Sequence, residues 1–185
     1  RYLSSDAFFW NVTVHEVAHG LGVKETVNGL GPVDVALGNE SSVWEEAKAD
    51  ILGLYMVCNL IDKGEIPLIS KEAAITTYIA SLVRSVRFGA AGAHGRANMM
   101  CYNFLKDNGA FERNKDGLYH INYDKVPEVV AAWAELIITT QATGNYMFAK
   151  EYDTNHAVVP EALSADIANV NRGGVPVDIR FEFVW

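Results

Sequence analysis

The sequence predicts a mainly α fold: a helical lobe with one small β-hairpin and an extended C-terminal tail. Three observations carry that expectation. Apolar residues recur at helical spacing through most of the 185 residues. Ser, Asp or Asn stands ahead of several of those runs, and Gly or Pro stands behind them. Only residues 111–122 and the tail 176–183 carry a strand-like pattern instead. Half of the residues are hydrophobic, enough to bury a substantial core, so the whole of 1–185 is expected to form one lobe.

Taken in order, a first helix is expected from about Asp6 to Val23, ended or loosened by Gly20 and Gly22. Its apolar run (Phe8, Phe9, Trp10, Val12, Val14, Val17, Ala18, Leu21) predicts a helix too apolar to be solvated all round. Residues 24–40, rich in Gly and Asn, read as a loop. Ser42 with Glu45 three residues on reads as a capping box that opens a second helix to Asp62 or Lys63, with Gly64 and Pro67 beyond it. Ser70 caps a third helix through about Val86, and a fourth runs from about Ala91 to Lys106, closed by Asn108-Gly109. Phe111–Arg113 and Leu118–Asn122, joined by Asn114-Lys115-Asp116-Gly117, read as the hairpin. Asp124 is expected to cap a helix to about Gln141, with Pro127 tolerated in its first turn. Shorter helices follow at about Asn145–Asp153 and Pro160–Asn171, and the tail Pro176–Phe183 alternates like a strand.

The chemistry is concentrated in two of these helices. Residues 15–19 read His-Glu-Val-Ala-His. Histidines four apart on a helix project from one face, so both imidazoles reach one metal ion, and Glu16 beside them can take a proton from a water. A third ligand is supplied by one of two segments. Glu46 and Asp50, in Glu45-Glu46-Ala47-Lys48-Ala49-Asp50, are spaced i,i+4, so one carboxylate can bind the metal while the other accepts the free N–H of a ligating histidine. This is the gluzincin arrangement. The competitor is Glu25, placed where a metzincin carries its final histidine, with Gly22 as the turn glycine. No segment resembles a Met-turn, and Glu46 is the favoured ligand, giving a site for one Zn²⁺ per chain.

A further polar stretch runs from Arg87 to Met100, through Gly89-Ala90-Ala91-Gly92-Ala93-His94-Gly95-Arg96-Ala97-Asn98. Small residues around His94 and Arg96 let other groups approach, so both side chains are candidates to face a cleft from the start of the fourth helix; the alternative is a helix junction whose glycines and alanines serve close packing.

The net charge of −8 and the absence of a basic cluster argue against a nucleic-acid partner. No run approaches the length of a transmembrane helix, so no membrane partner is expected. Cys58 and Cys101 read as buried free thiols, which leaves the compartment open. The chain opens on Arg1-Tyr2-Leu3 without an initiating methionine or signal segment, and is expected to be an excised piece of a longer protein.

The paired motifs resemble the zinc-binding, C-terminal catalytic portion of the dipeptidyl peptidase III family. That family carries His-Glu-x-x-(x)-His, then Glu-Glu-Cys-Arg-Ala-Glu/Asp followed by Gly-Leu-Tyr. Here the counterparts are His15–His19 and Glu45–Asp50, followed by Gly53-Leu54-Tyr55. The likeness continues through the His94 segment, the hairpin, Tyr123-Asp124-Lys125 and Gln141-Ala142-Thr143-Gly144-Asn145-Tyr146. It implies His15, His19 and Glu46 as zinc ligands and Glu16 as general base. It also implies Glu45 and Asp50 as supporting partners, and His94 as a group that stabilises the transition state or orients the substrate. The first motif is one residue shorter than in the best-known members, and Ala47-Lys48 replaces the usual Cys-Arg. Asn98 stands where the family tends to place a substrate-binding arginine, which makes Asn98 and Arg96 the candidate substrate-binding residues, with the substitution of Arg96 for that arginine left open. The resemblance implies peptide-bond hydrolysis, release of dipeptides from peptide N-termini, a cytoplasmic setting and an upstream lobe that anchors the peptide. The alternatives are a catalytically silent zinc-binding or interaction module and a metzincin-like protease ligated by Glu25.

Overall fold

The computed structural model describes residues 2–175; the tail 176–183 expected as a strand or extended arm lies outside the described residues. Eight helices and one hairpin follow in chain order: α1 Ser5–Ala18, α2 Val33–Leu37, α3 Ser41–Asp62, α4 Lys71–Ser85, α5 Ala93–Asp107, β1 Phe111–Arg113, β2 Tyr119–Ile121, α6 Val126–Thr143, α7 Tyr146–His156 and α8 Glu161–Arg172. The fold is mainly α, as the periodicity predicts.

Several boundaries differ from the sequence reading, each for a local reason. α1 stops at Ala18 rather than Val23: the N–H groups of Gly20 and Leu21 turn back to the carbonyls of Val17 and Ala18, and Gly22 takes φ +83°, which ends the helix. The segment 24–40 is not all loop. Thr26 N–H and Val33 N–H donate to Gly31 and Lys24 carbonyls, folding the chain back on itself, and Pro32 then leads into α2. A five-residue helix is too short to show a period in the sequence.

Two expected caps are absent. Glu40 occupies the capping position of α3 with no side-chain cap, because a 3-10 turn over Gly38–Glu40 runs directly into the helix. Ser42 therefore lies inside α3, and Glu45 is released from the capping box for other partners. Asp124 does not cap α6 either. Asn122 supplies the acceptors, its Oδ1 taking Lys125 N–H at 3.3 Å and its carbonyl taking Val126 N–H at 3.1 Å. Ser70 does cap α4, through a 3.2 Å bond from Ala73 N–H.

α3 is the central element and packs against α1, α4, α5 and α6. Its buried face carries Trp44, Ala47, Ile51 and Leu54, and Trp44 meets Trp133, Phe148 and Tyr152 in an aromatic cluster. Burial of such large side chains contributes about 1.5–3 kcal/mol each before entropy is counted. A smaller core of Ala7, Val14, Val57, Ile66 and Ala74 lies between α1, α3 and α4. α1 buries only the stripe Ala7, Val14 and Ala18, whereas Phe8, Phe9, Val12 and Val17 stay exposed. The apolar run of α1 thus overpredicts its burial in this lobe, since a helix covered from one side buries one stripe.

Two features fix the ends of the site-bearing helices. A Cβ at Gly53 of α3 would lie 3.1 Å from His15 N and 3.2 Å from its Cα, so the missing side chain lets α1 cross α3 at close range. On α5, the Arg96 guanidinium bonds Asp153 of α7 and, at 2.9 Å, Glu40 ahead of α3. Both carboxylates are nearly fully buried.

Candidate metal centre

The crossing of α1 and α3 brings the predicted ligands together. His15 and His19, one turn apart, present their Nε2 atoms 3.2 Å from each other. Glu46 Oε2 lies 3.4 Å from His15 Nε2 and 3.8 Å from His19 Nε2. Among the described residues, His15, His19 and Glu46 are the group of three whose ligand atoms cluster closely enough for one metal ion. Glu25 is not in it: it is exposed and bridges Pro32 in the folded-back segment.

The other imidazole nitrogens are also engaged. His15 Nδ1 meets Asp50 Oδ1 at 2.7 Å, and His19 Nδ1 meets Glu45 Oε1 at 3.0 Å. A neutral imidazole donating from Nδ1 carries its lone pair on Nε2, so both rings turn lone pairs towards Glu46. That arrangement gathers electron density around Glu46 Oε2, a buried atom with no hydrogen-bond partner. An orphaned buried carboxylate oxygen facing two imidazole nitrogens fits a cation in both charge and donor type. The Asp50 hydrogen bond raises the His15 pKa above 6.5, against the opposing effect of burial, with the charges of Asp50, Glu46 and Glu16 adding to it.

A pH dependence follows. The proton that His15 holds more tightly in the folded chain stabilises the metal-free fold fully below the ordinary value of 6.5, and this is lost as pH rises through the raised value. A metal must displace that proton, so its affinity has the opposite slope. Zinc titrations across pH 5–9 are expected to show affinity rising until the pH exceeds the raised His15 value, then flattening. Affinity independent of pH over that window would exclude His15 as a ligand.

The remaining predicted residues fall into two groups. Glu16 is exposed, next to His15, and its charge is felt at that imidazole. His94, at the first turn of α5, places Nε2 3.1 Å from Glu46 Oε2 while its ring stacks 6.4 Å from His15 and stays largely exposed. His94 borders the cluster. Arg96 and Asn98, expected to bind substrate, are otherwise occupied: Arg96 holds Glu40 and Asp153, and Asn98 is buried and donates to the His94 carbonyl at 2.6 Å. The geometry gives them a part in seating α5, and so His94, because helical phase turns Asn98 inward and Arg96 towards α7.

Lys48 is the residue that sequence reasoning noticed only as a replacement. It is fully buried, and its Nζ donates to Leu21 O at 2.7 Å, Glu45 Oε1 at 2.8 Å and His19 O at 3.3 Å. Burial pushes the Glu45 carboxyl up, but its bonds to Lys48 and His19 outweigh this and hold it below the ordinary range. The available signal was a lysine on the apolar stripe of α3, beside Ala47 and Ile51, three residues after Glu45. The two cysteines are free, and burial raises both thiols, Cys58 to about 11.

A His-Glu-x-x-His helix crossed by a second helix bearing a third donor, with a carboxylate on each Nδ1, is an arrangement that can hold a metal ion. The comparison with solved structures bears on the fold. Dipeptidyl peptidase III from Caldithrix abyssi superposes with a TM-score of 0.89 and 33% identity over 96% of this chain. Dipeptidyl-peptidase III from Corallococcus sp. strain EGB gives 0.90 and 35% over 97%. The fold is thus similar to that of dipeptidyl-peptidase III, and the chain spans about a third of those structures, 34% and 33% of their chains. A curated relative, Nudix hydrolase 3 of Arabidopsis thaliana, is 32% identical over 181 residues, 96% of this chain but only 23% of that protein. No family model matches the chain. No helix among the described residues is long and apolar enough to cross a membrane.

Proposed function

We propose that this chain is the metal-binding catalytic lobe of a zinc-dependent peptidase, with His15, His19 and Glu46 holding one zinc ion. The observation that carries the reading is Glu46 Oε2, buried and faced by the Nε2 atoms of His15 and His19, whose opposite ring atoms are each braced by a carboxylate, with the exposed His94 Nε2 beside it at 3.1 Å. Two imidazoles and one carboxylate form the donor set of hydrolytic zinc sites that leave a position open. Bound zinc supplies Lewis acidity, polarising a carbonyl and lowering the pKa of a water from about 16 towards 7.

The protein's own groups do the rest. Asp50 and Glu45 hold the two imidazoles in the tautomer whose Nε2 lone pairs face the cluster. Glu16, exposed beside His15, is the base that takes a proton from the water attacking the scissile carbonyl and returns it to the leaving amine. His94, exposed beside Glu46, would donate a hydrogen bond to the carbonyl oxygen as it gains charge; its nearness to Glu46 supports this role. The substrate is a peptide, and release of N-terminal dipeptides is the specificity suggested by the names of the similar structures.

Because the chain spans about a third of those structures, a second reading holds that it binds zinc and interacts without turning over substrate by itself. Zinc analysis by mass spectrometry, with an assay on a peptide bearing a free N-terminus, separates the two. One zinc per chain with hydrolysis lost to chelation supports the enzyme, and one zinc without hydrolysis supports the module. A chain that takes up no zinc at neutral pH overturns both.

A further inference from the structure

His15 and His19 are not equally secured. His15 lies within α1, pressed against Gly53 and bonded to Asp50. His19 is the residue on which α1 ends, and the backbone beyond it turns away at Gly20 and Gly22. The carbonyls of His19 and Leu21 therefore have no helical N–H to accept, and the His19 ring is more exposed than that of His15. A ligand at a helix end gains from another constraint if its ring is to stay in one orientation.

Lys48 supplies it from both sides. An ammonium has three donors, and here all three are used: two on the carbonyls of His19 and Leu21, the third on Glu45 Oε1. That same Oε1 meets His19 Nδ1. One buried cation thus ties the backbone at the end of α1 to the carboxylate that orients the His19 ring. The exposed Lys24 ammonium also donates to the His19 carbonyl, at 2.8 Å, but does not reach that carboxylate as a hydrogen-bond donor. Its stem passes Gly22, where an added Cβ would lie 3.0 Å from Lys48 Cδ, so the turn glycine leaves room for this reach. Burying an ammonium is expensive, and a well-packed apolar residue of similar volume is often as stable or more so. A role in bulk stability alone therefore gives poor reason for a lysine at this position.

We propose that Lys48 is a positioning residue for the metal centre, holding His19 in its ligating orientation through Glu45 and through the end of α1. The inference rests on His19 being a metal ligand, but its first readout needs no metal. In the metal-free chain, nitrogen NMR of the imidazoles reports the tautomer of each histidine separately. Lys48→Met is expected to remain folded, to redistribute the His19 tautomers and to leave His15 unchanged. Lys48→Arg, which keeps the charge and the donors, is expected to restore most of the native His19 signal. Zinc affinity, measured by chelator competition, is expected to fall about 10- to 100-fold in Lys48→Met and to recover in Lys48→Arg.

Should Lys48→Met fail to fold, Glu45→Gln cuts the same link without removing the buried cation and is expected to change His19 in the same direction. An unaltered His19 in a folded Lys48→Met or Glu45→Gln chain overturns the proposal, as do equal changes at His15 and His19. If the native chain binds no zinc, the functional reading fails on its own, and the His19 signal still decides the role of Lys48.

Discussion

A Glu46→Gln chain is expected to lose its zinc while keeping its helical fold. Glu46 is the one carboxylate whose oxygen faces both Nε2 atoms, and the amide substitute keeps the shape but gives up the charge. Removing a hydrogen-bonding support of a ligand weakens metal binding about 10- to 100-fold, so removing a ligand itself should weaken it by more. Equilibrium dialysis reads this directly. Thermal melts give a second readout: zinc at about a hundred times its Kd stabilises the native chain by about 2.7 kcal/mol, whereas the same zinc concentration should barely move the variant. Glu25→Gln is the control. Its carboxylate is exposed and away from the cluster, and zinc loss there instead would restore the metzincin-like alternative.

Replacing Glu16 with Gln should leave zinc stoichiometry intact and lower kcat about 10²- to 10⁴-fold, the range a general base contributes. Glu16 is exposed and is not one of the three clustered donors, so the variant separates proton transfer from metal binding. Steady-state kinetics on the same peptide assay checks it, provided the native chain turns over. Activity within a few-fold of native would assign the base elsewhere, with His94 the next group bordering the cluster.

Much of the candidate site was legible in the sequence because helical periodicity is local. His15 and His19 share a face whatever surrounds them, and so do Glu46 and Asp50. What the sequence left open was which carboxylate serves which imidazole. The crossing at Gly53 answers that, putting Asp50 on His15, Glu45 on His19 and Glu46 between them. Glu45 also shows how a local pattern misleads: Ser42-x-x-Glu45 has the form of a capping box, yet the 3-10 turn entering α3 leaves no cap to make. Arg96 shows another limit: its carboxylate partners lie far along the chain, at Glu40 and Asp153, so its pairing could not be read locally.

The sequence by itself determined the helical class, the hairpin, the position of the two motifs and the candidacy of His15, Glu16, His19 and Glu46, since each depends on spacings within a single element. Tertiary structure decided the rest. It placed Glu46 rather than Glu25 at the imidazoles, set His94 against Glu46, withdrew Arg96 and Asn98 into the packing of α5, and buried Lys48 beneath the end of α1. These outcomes depend on how closely two helices approach and at what angle they cross. Residues tens of positions apart fix that jointly, and no pattern within one segment encodes it.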